Sequence, residues 1–482
     1  MEAVRRLAGP MALAALAVLY VSTLGRPSLW FDEAWEANYY VGAADAPWYN
    51  RPVLYMSAEK ALVRALGPSE LALRLLPCLA GLAAVAVTFT LVRQEAGPAA
   101  AWGASALLAL NPSFLFHAHE VKHYPLDALF AALLVLLWTR WRASRTRRHL
   151  LAFTAAAVLS FGFSFTGVFV IAVCAAGEVW AERRTPRRLL PFGAALAGLA
   201  AVFAVTYLAF HAGTVATGGL QDQFPGSFPP GAATHFPGWL LRRTRDVLRV
   251  LTGNVSGVAA AACVAAGLWI QGRRRGGALA FVLPGLLLLH LAAALAYLYP
   301  YGVDRVSLDL APFACACTAV AFTALLPAAG TPRAGGLVVL AGTAWVLFQP
   351  ALQGARPYLT TGWRQEHIRP LVETLERRRH PDERIYVSDC GPAFNFYWWR
   401  LGQRADDPAL LWGERHRYRP QDHRREVETI AAGVPRLWAL YAHVPAKEMA
   451  TVRALFAEHY ATVERYGGGD VGLDRLVRRE GR

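Results

Sequence analysis

The amino-acid sequence predicts an all-α polytopic membrane protein with about eleven transmembrane helices and a small extracytoplasmic α/β domain at its C-terminal end. Apolar runs of about 20 residues, the length that an α-helix needs to cross a bilayer, recur along most of the chain. Arginines are concentrated in the short segments between these runs, as in loops that stay in the cytoplasm. From Arg356 onward the apolar runs shorten and the charge rises, which predicts a membrane domain at 1–350 and a separate domain at 351–482.

The composition supports this class of protein. The 482 residues are 55% hydrophobic and only 17% charged, with a formal net charge of +15. Because the arginines follow the positive-inside pattern, this charge does not indicate nucleic-acid binding. Five of the six cysteines lie in apolar runs, so neither a disulfide framework nor a zinc site is predicted.

Eleven apolar runs are assigned as membrane spans. The first, Pro10 to Leu24, follows Arg5 and Arg6 and lacks the small-residue cleavage site of a signal peptide. Two shorter runs, at about 150–163 and 165–181, are predicted to form an out-and-back pair. The remaining spans are predicted at about 73–92, 98–116, a fourth that ends at Arg140, 189–210, 250–270, 277–299, 306–327 and 335–350.

This span count places every arginine cluster on the cytoplasmic side and the acidic loops on the outer side. Residues 25–72 then form a long outer loop, in which Trp48–Pro52 predicts a turn. Within the same loop, Val53–Leu66 is amphipathic and predicts a helix lying in the membrane interface. Residues 211–247, rich in glycine and proline, form a second long polar loop.

The C-terminal domain shows short helical and extended patterns. Helices are predicted at Ile368–Arg378 and Pro445–Tyr460, because their apolar residues recur with helical period. Strands are predicted at Arg384–Ser388 and Arg436–Tyr441, which are short apolar runs bounded by charge. The domain extends over about 125 residues, which is a normal domain size.

The unusual polar residues lie in three outer loops. A carboxylate at the bilayer centre costs roughly 2.5–3.5 kcal/mol, so acids beside a span belong just outside the hydrocarbon. The chemistry-bearing residues are Asp32 and Glu33 in the first loop, His119, Glu120, Lys122 and Tyr124 in the second, and Tyr301 and Arg305 in the third. This set of a carboxylate base, further acids and two cations suits transfer of a group from a phosphate to a hydroxyl, because the base deprotonates the acceptor and the cations neutralise the departing phosphate.

Each of these residues also has a simpler explanation. The acids and tryptophans after the first span resemble an ordinary interfacial loop. Lys122 could be a lysine that extends from the end of a span to the membrane surface, and Arg305 a stray outer charge. His119, with its neighbours His117 and His123, does not match a defined metal-ligand spacing, so no metal ligand is assigned and a divalent cation is left open.

Three segments resemble the GT-C class of membrane glycosyltransferases. Phe31-Asp32-Glu33 after the first span resembles the signature of family 39-type enzymes, which include protein mannosyltransferases and aminoarabinose transferases. The segment Glu120 to Tyr124 resembles the loop between the third and fourth spans of bacterial members, and Tyr299–Arg305 resembles a late loop. The resemblance covers about residues 1–350.

This resemblance implies a polyprenyl-phosphate sugar as donor and a single displacement with inversion at the sugar. Asp32 would be the base that activates the acceptor. The other two catalytic carboxylates would assist it: Glu33 would support the base or position the acceptor, and Glu120 would line the same cavity. Lys122 and Arg305 would bind the donor phosphate, and Tyr124, Tyr301 and His119 would contact substrate. A lipid-linked donor explains a site at the membrane face, because its tail stays in the bilayer.

The sequence therefore predicts a hexosyl- or pentosyltransferase of a bacterial inner membrane, with its C-terminal domain outside the cytoplasm. Its acceptor would be a hydroxyl or a phosphate of a lipid, glycan or protein. The alternatives are a transporter or flippase of lipid-linked saccharides and a receptor that binds a ligand through its C-terminal domain. A transporter would distribute polar residues near the bilayer midplane, whereas here they cluster at one face. A receptor has no need for two acids and two cations on the same side as its domain.

Overall fold

The computed structural model describes residues 2–44, 51–210, 212, 219–253, 257–273, 277–324, 348–362, 366–414, 416 and 419–479. His211, residues 48–50 of the predicted turn and most of the predicted eleventh span lie outside these residues. The chain divides into two compact units that alternate along the sequence. The membrane unit comprises Met1–Thr23, Trp48–Ala58 and Arg74–Thr361, and the sheet unit comprises Leu24–Pro47, Glu59–Leu73 and Gly362–Arg482.

The membrane unit is helical in its described residues. The helices Val53–Leu66 and Glu70–Ala96 contribute residues to both units. The other helices of this unit are Glu2–Val21, Pro98–Ala109, Pro112–Ala118, Tyr124–Ser144, Arg147–Phe163, Gly167–Ala181, Leu190–Phe210, Gly219–Gln223, Phe236–Leu251, Gly257–Arg273, Ala278–Leu295, Ala311–Ala324 and one at 348–360, with 3₁₀ turns at Pro186–Leu189, Ala233–His235 and Arg305–Leu310.

Several of these helices are suited to cross a membrane, so the prediction of an integral membrane protein is confirmed. Among the described residues, four segments are long and apolar enough: Glu70–Ala96, Pro186–Phe210, Ala278–Leu295 and Arg305–Ala324. Pro98–Ala109 and Pro112–Ala118, bent by 62° at Leu110 and Asn111, could together form a fifth. The count of eleven remains a prediction, because helices such as Gly167–Ala181 are shorter than a full span.

Small residues allow the helices of the membrane unit to approach closely. The helix Ala311–Ala324, rich in alanine and cysteine, packs against Pro98–Ala109 and Gly257–Arg273. A side chain at Gly267 would lie 2.0 Å from the carbonyl oxygen of Cys317, so only glycine fits there. Within lipid there is no hydrophobic driving force between helices, so close van der Waals contacts of this kind stabilise their packing.

Two segments that were predicted as loops contain helices. The first outer loop contains the helix Phe31–Val41, here called the acidic helix, in addition to the predicted helix Val53–Leu66. The polar loop at 211–247 contains most of the helix Phe236–Leu251, which buries Trp239, Val247 and Leu251 and exposes arginines on its other face. Its high arginine content concealed an amphipathic period, so the loop assignment of this part was wrong.

The sheet unit is built around five strands in the order β2-β1-β3-β5-β4: β1 Arg384–Ser388, β2 Leu410–Trp412, β3 Arg436–Tyr441, β4 Tyr460–Gly468 and β5 Val471–Arg478. β1 pairs in parallel with β2 and β3, whereas β5 is antiparallel to β3 and β4. Its described helices are the acidic helix, Arg369–Arg378, Gly391–Arg400, Pro420–Gly433 and Ala446–His459. The predicted β1 and β3 have the bounds that the structure shows.

The alternation of side chains along each strand places a core on one face of the sheet. Tyr386 of β1 and Leu437 and Ala439 of β3 pack with Val427 and Phe456 of two covering helices. The acidic helix packs against the helix Gly391–Arg400. The side-chain amide of Asn38 there donates to the Pro392 carbonyl at 2.8 Å.

Candidate functional site

Asp32 and Glu33 lie in the first turn of the acidic helix, within the sheet unit. Acidic residues are stabilised at this position by the partial positive charge of the helix N-terminus. Glu33 is 1% exposed and its carboxylate accepts a hydrogen bond from the Trp30 amide at 3.4 Å, whereas Asp32 is half-buried. Glu33 therefore helps to begin the helix, and Asp32 is the more accessible of the two carboxylates.

The segment before the acidic helix is held by side chains of the same unit. The Tyr397 hydroxyl accepts from the Leu29 amide at 2.6 Å and donates to Glu70 at 3.1 Å. The Ser28 hydroxyl lies 2.8 Å from Nδ1 of His367 and accepts from the backbone amide of Arg369 at 3.0 Å. Hydrogen bonds to residues more than 300 positions away therefore fix the position of the helix start, and with it the position of Asp32.

The second group of candidates surrounds the short loop between Pro112–Ala118 and Tyr124–Ser144, in the membrane unit. Glu120 and Tyr124 are buried, and Lys122 is only 6% exposed. Glu120 Oε2 lies 2.9 Å from Nδ1 of His117, which orients the carboxylate. Because Lys122 is buried within the protein, its position differs from that of a lysine extended along a surface.

His119 lies in the same loop and faces two carbonyls. Its Nδ1 is 2.8 Å from the Leu115 carbonyl oxygen and its Nε2 is 3.1 Å from that of Tyr20. Burial, assisted by the Arg74 charge, outweighs these acceptors and lowers the pKa of His119 to about 4. At neutral pH the ring is therefore uncharged, and its single N–H can donate to only one of the two carbonyls at a time.

The third group lies in the turn before Ala311–Ala324. Tyr301 is buried, its hydroxyl lies 2.7 Å from that of Thr244, and burial raises its pKa. Arg305, half-buried, begins the 3₁₀ turn, and its guanidinium lies 4.7 Å from the centre of the Phe224 ring. Gly302 adopts φ = +72°, where a side chain would meet the Arg243 backbone, so this turn requires glycine.

A hydrogen bond connects the second and third groups. The Ser113 hydroxyl donates to Asp304 at 3.2 Å, and the other oxygen of that carboxylate accepts from the backbone amide of Arg305 at 2.8 Å. Ser113 belongs to the helix that leads into the loop of Glu120 and Lys122. The membrane unit therefore ties the backbone at Arg305 to this helix, although the two are about 190 residues apart.

Sequence reasoning missed several buried polar residues of the membrane unit. His290 Nε2 lies 3.0 Å from an oxygen of Asp309, and both side chains are fully buried. Asp127, also buried, accepts hydrogen bonds from the Ser164 hydroxyl and the Phe165 amide. Ionisable residues inside apolar helices were the available signal, since such residues are costly and commonly functional. Among the described residues, no group of three His, Cys, Asp or Glu side chains could hold a metal ion.

One family model matches part of the chain, and several solved structures share its fold. The family model described as "Protein O-mannosyl-transferase TMEM260 N-terminal domain" matches residues 71–187, which include Glu120 and Lys122. No curated protein matches this chain at a significant level.

Solved structures match over nearly the whole chain. ArnT from Cupriavidus metallidurans bound to undecaprenyl phosphate is 13% identical with a TM-score of 0.56, and the match covers 97% of this chain and 98% of that chain. The archaeal oligosaccharyltransferase AglB from Archaeoglobus fulgidus, in complex with an inhibitory peptide and a dolichol-phosphate, is 12% identical with a TM-score of 0.53, covering 99% and 75%. At these identities the matches establish a shared fold, and the resemblance to GT-C glycosyltransferases is confirmed.

Proposed function

We propose that this integral membrane protein transfers a sugar from a polyprenyl-phosphate donor to an acceptor hydroxyl at the outer face of a bacterial inner membrane. The observation that carries the proposal is the fold match over 97% or more of the chain to proteins solved with undecaprenyl phosphate and with a dolichol-phosphate. A donor of this kind keeps its apolar tail in the bilayer, which agrees with a chain that combines membrane helices with polar loops.

In this reaction Asp32 is the general base that removes the proton from the acceptor hydroxyl. The acceptor oxygen then attacks the anomeric carbon while the bond to the phosphate oxygen breaks, with inversion. The polyprenyl phosphate leaves with the bonding electrons. Asp32 suits the role of base because it is the more accessible carboxylate of the acidic helix. Glu33, whose carboxylate accepts from the Trp30 amide, serves to hold the helix start.

Lys122 and Arg305 neutralise the phosphate as it departs. The leaving group gains negative charge as the sugar bond breaks, so cations stabilise the transition state more than the bound donor. The low exposure of Lys122 strengthens its field, because little water screens it there. Glu120, oriented by His117, lines the same cavity, and Tyr124, Tyr301 and His119 contact substrate.

The test is transfer by the purified full-length protein in lipid nanodiscs. A panel of undecaprenyl-phosphate sugars, beginning with mannose, is supplied with peptide, glycan and lipid acceptors in separate reactions. The family match at 71–187 favours a protein acceptor, so we expect label on the peptide. Vectorial movement of the donor between leaflets without covalent transfer would instead support a flippase.

The base is tested by substitution within the acidic helix. Asp32→Asn keeps the shape but cannot accept the proton, so transfer should fall about 10²–10⁴-fold. Glu33→Gln should lose less, because the amide oxygen can still accept from Trp30. The matched control is Glu36→Gln, one turn later on the same helix, where the amide can still accept from the Tyr40 hydroxyl. Wild-type turnover in Asp32→Asn would exclude Asp32 as the base.

A further inference from the structure

The residue before the acidic helix supplies no cap for the Phe31 amide, and Glu33 of the helix accepts from the Trp30 amide instead. The first amides of a helix need external acceptors, and Ser, Thr, Asp or Asn before the first turn normally supplies one. Here that position is Trp30, whose side chain has no oxygen. The Phe31 amide instead donates to Oε2 of Glu366 at 3.0 Å, a carboxylate 335 positions away in the sequence. A negative charge at this end also suits the helix dipole.

His443 holds the carboxylate that caps the helix. Its Nδ1 lies 2.5 Å from Oε1 of Glu366, and the two side chains are 16% and 5% exposed. The His443 ring also stacks on the Phe31 ring, with the ring centres 4.4 Å apart and the planes 15° from parallel. Glu366 and His443 thus contact both the amide and the ring of the residue directly before Asp32. These two residues are called the Glu366–His443 clamp.

The His443 backbone has a strained conformation at the position where its ring contacts Glu366 and Phe31. His443 follows β3 by two residues and adopts φ = +58°, a left-handed conformation that is unfavourable for a residue with a side chain. Such conformations persist where the surrounding structure requires them, and they occur preferentially at functional sites. At this position the conformation accompanies the two contacts of the ring, with Glu366 and with Phe31.

We propose that Glu366 and His443 are positioning residues that set the orientation of Asp32 for proton abstraction. This inference rests on the proposed function, in which Asp32 is the base. Since Asp32 is the residue after Phe31, a shift of the Phe31 backbone directly moves the Asp32 carboxylate. A misplacement of about 1 Å in a reacting group can reduce a rate by about 10²-fold.

The clamp is tested by kinetics of paired substitutions. Glu366→Ala removes the cap and His443→Ala removes the ring, and each should lower kcat at least tenfold while KM for the lipid-linked donor changes less than twofold. The conservative variants should rescue part of the loss. In Glu366→Gln an amide oxygen can still accept from Phe31, and in His443→Phe a ring can still stack on it. We expect both to retain a higher kcat than the alanine variant of the same residue.

A matched control exists within the same unit. His423 Nε2 lies 2.8 Å from Oε1 of Glu448, and these side chains are 5% and 9% exposed, so the pair resembles the clamp in burial. It joins the helices Pro420–Gly433 and Ala446–His459. His423→Ala should leave kcat within twofold of the wild type. If it lowers kcat as much as His443→Ala does, the loss reflects general destabilisation of the unit and the proposal is wrong.

Hydrogen exchange separates the clamp from the proposed chemistry. Peptides covering residues 28–41 should exchange faster in Glu366→Ala than in the wild type or in His423→Ala, because the Phe31 amide loses its acceptor. Unchanged exchange in this peptide overturns the clamp, whatever the activity. Faster exchange with unchanged kcat shows that the clamp does not position Asp32. If the wild type transfers no sugar from any donor, the proposed function fails, while the exchange result still decides whether the clamp holds the helix.

Discussion

Removal of the Glu70 carboxylate should loosen the sheet unit much more than removal of an exposed partner. Glu70 Oε1 is 2.7 Å from Nη1 of Arg369, its Oε2 is 2.9 Å from Nη1 of Arg400, and the Tyr397 hydroxyl donates to it at 3.1 Å. The Glu70 side chain is 4% exposed, whereas the two arginine side chains are 25% and 31% exposed. One buried carboxylate therefore connects three segments of the unit.

The magnitude follows from these contacts. Two charge-assisted hydrogen bonds at about 1.5–3 kcal/mol each give about 3–6 kcal/mol. The arginines are partly exposed and regain water when the carboxylate is removed, so we expect Glu70→Ala to cost about 3 kcal/mol, at the lower end for breaking a buried pair. The comparison is Glu458→Ala. Arg424 and Glu458 also form two hydrogen bonds, at 2.7 and 3.0 Å, but both side chains are about half exposed, so water screens the pair and its loss should cost much less.

Cys390 provides the assay. It is a free, fully buried cysteine of the sheet unit, so a maleimide can reach it when the unit opens. When opening is in fast equilibrium, the labelling rate follows the open population, and about 3 kcal/mol corresponds to a roughly 10²-fold faster reaction. Mass spectrometry of the Cys390 peptide separates this signal from the other cysteines. An increase in Glu70→Ala no larger than in Glu458→Ala would refute the reasoning.

Three further predictions concern the membrane unit. Lys122→Ala and Arg305→Ala should each lower kcat/KM for a polyprenyl-phosphate sugar by about 10–150-fold, with the larger loss at Arg305. Arg305→Lys should not restore the rate, since only the guanidinium offers a planar fork to the phosphate. Losses below twofold in both alanine variants would show that these cations do not bind the donor phosphate. Because burial lowers the pKa of His119 to about 4, the unfolded chain binds a proton there that the folded protein does not between about pH 4 and 6.5. The free energy of unfolding should therefore rise with pH across this window, less steeply in His119→Gln, and identical slopes in denaturant titrations would contradict this. His290→Leu leaves the buried Asp309 carboxylate without its imidazole partner and should lower the free energy of unfolding by about 3–5 kcal/mol. The double variant with Asp309→Leu should be closer to the wild type in stability. If thermal unfolding shows the double variant to be as unstable as the single one, the broken pair is not the cause of the loss.

Local patterns accounted for the type of protein and for many elements. The length and apolarity of runs such as 73–92 predicted helices that can cross a membrane, and the structure shows the helix Glu70–Ala96 there. The strands Arg384–Ser388 and Arg436–Tyr441 have their predicted bounds. Both kinds of element are readable because hydrophobic length and periodicity depend only on neighbouring residues.

The sequence alone predicted less where polar residues form ordered structure. The acidic helix is short and rich in aromatic and acidic residues, so its pattern resembled a loop. The helix Phe236–Leu251 was hidden by its arginines, which occupy the exposed face. The hairpin of β4 and β5 was not predicted, because β4 exposes most of its side chains and has no apolar run. In each case packing against distant residues, rather than local composition, stabilises the element.

By itself the sequence determined that the chain is a membrane protein and showed its resemblance to GT-C glycosyltransferases, and it named Asp32, Lys122 and Arg305 as candidates for the chemistry. Only the tertiary structure decided how each is held. The Ser113 hydroxyl reaches Asp304 beside Arg305, and Glu366 caps the helix that carries Asp32 across 335 positions of sequence. The physical reason is that residue type and hydrophobic period are local properties, whereas a hydrogen bond between distant segments exists only after the chain has folded.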